Sequence, residues 1–117
     1  MLVHEAGNKA RRPVVARFVR ATTEAIAIYK AEKERTKTVI GKYLRMTDAD
    51  NFERTYNSFK PLFPEVPQPT PNGVKTLLDD LAAKNPKAAE INPKDLVDCS
   101  FIDEMERSGF ITRLYRK

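Results

Sequence analysis

Apolar positions recur along this chain at steps of three and four, and prolines and glycines divide them into helix-sized runs. The first run is Val15, Phe18, Val19, Thr22, Ala25, Ile26 and Tyr29, which forms one stripe on an α-helix. Pro13 suits the first turn, because its fixed φ is helical and its missing N–H would be unsatisfied there anyway. The pattern therefore predicts a helix over residues 13–31, with Arg17, Arg20, Glu24 and Lys30 largely outside the stripe. A second run, Thr36, Val39, Ile40, Tyr43 and Leu44, keeps the same period. Gly41 interrupts it at a cost of roughly 1 kcal/mol against alanine, and its lack of a side chain permits close helix packing.

The third run is Phe52, Tyr56, Phe59 and Phe63, opened by Thr47-Asp48-Ala49-Asp50 as a candidate capping box. Pro61 predicts that this helix stops or kinks near Phe59. Residues 64–71, PEVPQPTP, hold four prolines and read as an extended strap over a neighbouring surface, anchored by Val66. Thr70-Pro71 then supplies a cap and a first-turn proline for a helix carrying Val74, Leu77, Leu78 and Leu81, which Asn85-Pro86 ends. Asn92-Pro93 repeats the device before a short turn with Leu96 and Val97, and Ser100-Phe101-Ile102-Asp103 is a second candidate box. Gly109 closes that helix, and Phe110, Ile111, Leu114 and Tyr115 form an apolar tail. No segment alternates with period two for long, so no strand is expected. The fold class expected for the chain as given is all-α, with a tail over 1–12 and one helical domain over 13–117.

The 117 residues fit one domain, and 41% hydrophobic with 32% charged residues place the chain in the globular class. No apolar run approaches the roughly 18 residues of a membrane span. Residues 1–12 show no secretory leader, so the chain as written is expected in the cytoplasm. Charge is uneven: residues 1–47 carry +7 and residues 48–117 carry −2, out of a total of +5. Arg11, Arg12, Arg17, Arg20, Lys30, Lys33, Arg35, Lys37, Lys42 and Arg45 form a candidate phosphate-contacting set, interrupted by Glu24, Glu32 and Glu34.

Catalytic chemistry finds little support. The four glycines, at 7, 41, 73 and 109, form no phosphate loop. His4 and Cys99 are the sole histidine and cysteine, which rules out an intrachain disulfide and leaves a zinc site dependent on carboxylates. Asp79-Asp80 and Asp103, Glu104 and Glu106 read as solubilising groups on exposed helix faces. No catalytic, cofactor-binding or metal residue is assigned, no cofactor is expected, and the chain is not expected to be an enzyme.

The order of these segments carries a resemblance. RRPVVARFVRATTEAIAIYK, GKYLRMTD, ERTYNSF, VPQPTPNGVKTLLDDLA and VDCSFIDEMERSGFITRLYR follow one another between about residues 11 and 116. In that order they resemble the C-terminal stretch of nitrate/sulfonate/taurine-type solute-binding proteins, a family that includes binding proteins for thiamine-pyrimidine precursors. The final block is the most specific, with its Asp-x-Ser-Phe start, acidic helix, Ser-Gly-Phe-Ile and terminal Leu-Tyr. The resemblance implies the helical part of a two-lobed α/β periplasmic binding protein of type II. Its parent would be periplasmic or otherwise extracytoplasmic, and would close by hinge motion on a small solute for an ABC permease. A complete member is roughly two to three times as long. The ligand-binding residues have no counterparts to name in this chain. Two further expectations follow from the residues themselves. Amphipathic helices without a sheet to cover them either repack or self-associate through apolar faces. The alternative to the transport reading is a stand-alone helical interaction module, binding nucleic acid through its basic N-terminal half.

Overall fold

The computed structural model describes residues 9–116, which are all-helical with no strand. His4 and most of the 1–12 tail lie outside the described residues. Among the described residues run the α-helices α1 (Arg12–Ala31), α2 (Lys33–Leu44), α3 (Ala49–Phe59), α4 (Pro71–Ala82), α5 (Ser100–Arg107) and α6 (Phe110–Tyr115), with short 3₁₀ turns after α3 and α4. The turns are Lys60–Leu62 after α3, and Pro86–Glu90 and Pro93–Leu96 after α4. Helix α3 ends at Phe59 with Pro61 in the following 3₁₀ turn, as the proline requires.

The caps at Thr70 and Asn92 behave as the sequence suggests, and Asn85, expected only to end α4, is a cap as well. Thr70 Oγ1 accepts from Gly73 N–H at 3.1 Å. Asn85 Oδ1 and Asn92 Oδ1 accept from Lys87 and Lys94 N–H at 3.2 and 3.1 Å, each opening a proline-led 3₁₀ turn. Both candidate capping boxes are corrected. Asp48, not Thr47, caps α3, through Oδ1 to Asp50 N–H at 3.0 Å. Asp98, not Ser100, opens the last block, accepting from Ser100 N–H at 3.0 Å and from its hydroxyl. The carboxylate is the stronger acceptor and wins the free donors in both places.

No glycine or proline separates α1 from α2. The chain turns at Glu32 (φ −113°, ψ 69°), and a tyrosine of α3 takes up one of the carbonyls left over. Tyr56 donates its hydroxyl to the Lys30 carbonyl at 3.2 Å. Tyr29 returns the bond, from its hydroxyl to the Tyr56 carbonyl at 3.3 Å. The two rings stack at 5.1 Å with 11° between planes, and Phe63 closes on Tyr29 edge-on at 5.2 Å. Thr36 adds a bond to the Tyr29 carbonyl at 3.4 Å. Tyr56 is 2% exposed, so this corner is dry. Helix α2 then crosses α3 closely at Gly41, where a Cβ would lie 2.7 Å from the Phe52 ring. The absent side chain is what the packing needs. Helix α2 ends on Arg45 in the left-handed region (φ 53°), with Met46 N–H bonded to the Gly41 carbonyl at 3.1 Å.

The other end of α1 meets the C-terminal block. Ile102, Met105 and Ile111 form a small core, with Val19, Val66, Phe110 and Tyr115 packed on it. The proline strap therefore does lie on a neighbouring surface, pinned by Val66 and by Gln68 Nε2 donating to Asp103 Oδ1 at 3.2 Å. Gly109 (φ 73°) turns the chain between α5 and α6, so the apolar tail is itself helical.

The apolar stripes are only partly buried. Of the α4 stripe, Leu78 is buried while Leu77 and Leu81 are exposed. Phe18, Val39, Tyr43, Leu44, Phe59 and Leu96 are also exposed. The radius of gyration is 17.3 Å, against about 13 Å for a compact domain of this size. The helices have more apolar surface than they can cover for one another.

The tyrosine corner sets the first expectation. Tyr56→Phe should lower the unfolding free energy by about 1 kcal/mol, because it removes the donor from a part-buried carbonyl. Tyr56→Ala should cost about 3–5 kcal/mol through the added cavity. Urea unfolding followed by circular dichroism measures both. Equal losses would show that the ring and the hydroxyl do not contribute separately.

Candidate interaction surfaces

Arg12 is the most connected charged group at the N-terminal joint. Pro13 in the first turn starts α1 at Arg12, which places its side chain against α5. The guanidinium donates to Glu104 Oε1 at 2.9 Å and to Ser100 Oγ at 3.0 Å, and reaches Asp98 at 3.8 Å. It also lies 4.2 Å over the Phe101 ring. A planar fork that stacks and donates together is a role lysine cannot fill. About two turns further along α1, Arg20 lies 4.2 Å over the ring of Phe110.

A second charged cluster ties α2 to α3. Glu53 accepts from Lys33 at 2.7 Å and from Lys37 at 3.0 Å, and Lys37 also reaches Glu34 at 3.3 Å. Hydrogen bonds from Lys33, then Lys37, hold the Glu53 carboxyl below its ordinary value of 4.5. Lys37 is raised in turn, chiefly by its bond to Glu53. Of the basic residues considered as phosphate contacts, Arg12, Lys33, Arg35 and Lys37 are thus spent on carboxylates within the chain. Of the rest of that set, Arg20 lies over the Phe110 ring and Lys42 over the Tyr43 ring.

Two open grooves flank the C-terminal block. One, of about 460 Å³, runs between the strap and α6 and is lined by Glu65, Val66, Glu106, Ile111 and Tyr115. The Tyr115 hydroxyl is buried beside it with no hydrogen-bond partner, and burial, then Glu65, pushes its pKa up. The other, of about 310 Å³, lies between Arg17 and Arg20 of α1 and Phe101, Met105 and Phe110. Among the described residues neither groove is lined by a histidine or a cysteine. Cys99 is half-buried, and burial, followed by Asp103 and Asp98, raises its thiol pKa, the opposite of what a reactive thiolate needs. Three of the carboxylates singled out in the sequence have partners within the chain. Asp79 pairs with Lys75 at 2.7 Å, Asp103 with Gln68, and Glu104 with Arg12. Among the described residues no group of three or more His, Cys, Asp or Glu side chains is placed to hold a metal. No helix among them is long and apolar enough to cross a membrane.

What remains as candidate interaction surface is apolar and helical. Helix α2 shows Val39, Tyr43 and Leu44, α4 shows Leu77 and Leu81, and α1 shows Val14 and Phe18. Comparison of the chain with family models, with curated proteins and with solved structures finds no match.

The Glu53 cluster sets a pH expectation. A carboxyl held low in the folded state contributes stability above its unfolded pKa, and that contribution is lost as pH falls through the folded value. Glu53→Gln should therefore lower the melting temperature near neutral pH, with the gap to the parent chain narrowing below about pH 4. A gap that stays constant with pH would show that the two lysines do not act on this carboxylate.

Proposed function

We propose that this chain is the helical C-terminal part of an ABC-importer solute-binding protein of the nitrate/sulfonate/taurine type. The observation that carries the reading is the ordered run of motifs from Arg11 to Arg116. The helix limits fit that order. RRPVVARFVRATTEAIAIYK lies on α1, ERTYNSF on α3, and SFIDEMERSGFITRLY on α5 and α6. The helical architecture and the uncovered faces of α2 and α4 support it further, since exposed Val39, Tyr43, Leu44, Leu77 and Leu81 suit helices built to pack on a larger body.

On this reading the parent is an extracytoplasmic two-lobed protein that closes on a small solute and presents it to a permease. The helices here provide scaffold, and the cleft residues belong to segments outside this sequence. The internal pairing of Arg12, Lys33, Arg35 and Lys37 weighs against the alternative of nucleic-acid binding, because paired lysines and arginines release few counterions.

Reading the coding frame upstream of residue 1 tests the proposal. The expected result is an open frame of about 150–250 codons, with alternating strand and helix patterns and a secretory leader. An in-frame stop directly behind a ribosome-binding site would contradict it.

A further inference from the structure

Helix α1 has two apolar faces, and the fold uses one. Val15, Thr23, Ile26 and Ala27 are buried on the used side. On the other, Val14 and Phe18 are 58% and 57% exposed, Ala21 and Ala25 are exposed, and Ile28 is half-buried. These five positions follow one another by four, three, four and three residues. That is the spacing of a coiled-coil seam, the narrow stripe by which one helix meets one other helix. Arg17 and Glu24 stand seven residues apart along one edge of it, both exposed. Neither makes an ion pair among the described residues.

We propose that this face binds a second copy of the chain, as an antiparallel pair of α1 helices with the two-fold axis at Ala21. Side-chain size and charge both select that arrangement. About this axis Ala21 meets Ala21 of the partner subunit, which lets the helices approach closely. Phe18 fills the space beside Ala25 of the partner subunit, and Val14 packs on Ile28 of the partner subunit. Phe18, the bulkiest residue of the seam, thus meets a small one. An antiparallel two-fold also sets each edge of the seam against itself. Arg17 then faces Glu24 of the partner subunit, and symmetry repeats the pair. A parallel pair sets Arg17 against Thr22 of the partner subunit and Glu24 against Tyr29 of the partner subunit, and matches neither charge.

The seam from Val14 to Ile28 is roughly 21 Å long. Its core is small, so the dimer is weak and concentration-dependent. The inference rests on this face alone and is independent of the transport reading.

Sedimentation velocity over a concentration series, on the full chain, tests it. The expected behaviour is a reversible monomer–dimer equilibrium. Arg17→Glu and Glu24→Arg should each weaken association about tenfold. The double exchange should restore it, because the same two pairs form with signs reversed. All four positions tested lie on exposed faces, and circular dichroism verifies that each variant keeps its helix. Orientation is read by oxidation in a Cys99→Ser background. Ala21→Cys should cross-link to itself at the axis, while Val14→Cys, near the end of the seam, should not. A monomer at every concentration would overturn the proposal, as would a double exchange that fails to restore association. Equal cross-linking at positions 14 and 21 would overturn the antiparallel arrangement.

Discussion

The turn at Glu32 depends on the pairing of Tyr29 with Tyr56, and the arrangement of α1, α2 and α3 depends on that turn. Ending a helix without glycine or proline leaves carbonyls that need donors, and here the Tyr56 hydroxyl from α3 supplies one to Lys30. Because Tyr29 bonds back to the Tyr56 carbonyl and the rings stack, α3 is fixed in position and orientation relative to α1. The approach of α2 to α3 at Gly41 and Phe52, and the lysines around Glu53, complete the corner. Phe63, just past α3, is held on Tyr29 and sends the proline strap toward the C-terminal block.

Helix α1 is consequently a spine with a joint at each end. At its start Arg12 holds α5 by stacking and charge, and the small core of Ile102, Met105 and Ile111 packs beside Val19. At its finish the tyrosines hold α2 and α3. Between the joints its outer face is bare, and α4 touches chiefly the 3₁₀ turns that follow it, leaving Leu77 and Leu81 in water. A chain of this length that buries so few of its large apolar side chains has surfaces suited to partners, and that property is common to the transport proposal and to the self-pairing of α1.

The helices are legible in the sequence because their signals are local. Period, first-turn prolines, the caps at Thr70 and Asn92 and the stop at Asn85-Pro86 act within four residues, and the observed limits follow them. The strap at 64–71 is legible for the same reason. Cap identity is less so: threonine beside aspartate at 47–48 and serine near aspartate at 98–100 offer two acceptors each, and the charged one prevails. The joints are not legible. Arg12 meets Glu104 across 92 residues, and Tyr56 reaches Lys30 across 26. Neither partnership leaves a periodic trace. Burial is misjudged where amphipathic pattern is taken as core. Phe18 falls within the expected stripe but outside the buried one, since the side of α1 that is covered is set by where α5 and α6 dock.

The transport proposal is tested most directly in the source cells, with an antibody raised against this chain. The expected band runs at roughly two to three times the 13.3 kDa of the chain and is released with the extracytoplasmic fraction by osmotic shock. A single band at 13.3 kDa, retained with the cytosol, would contradict it.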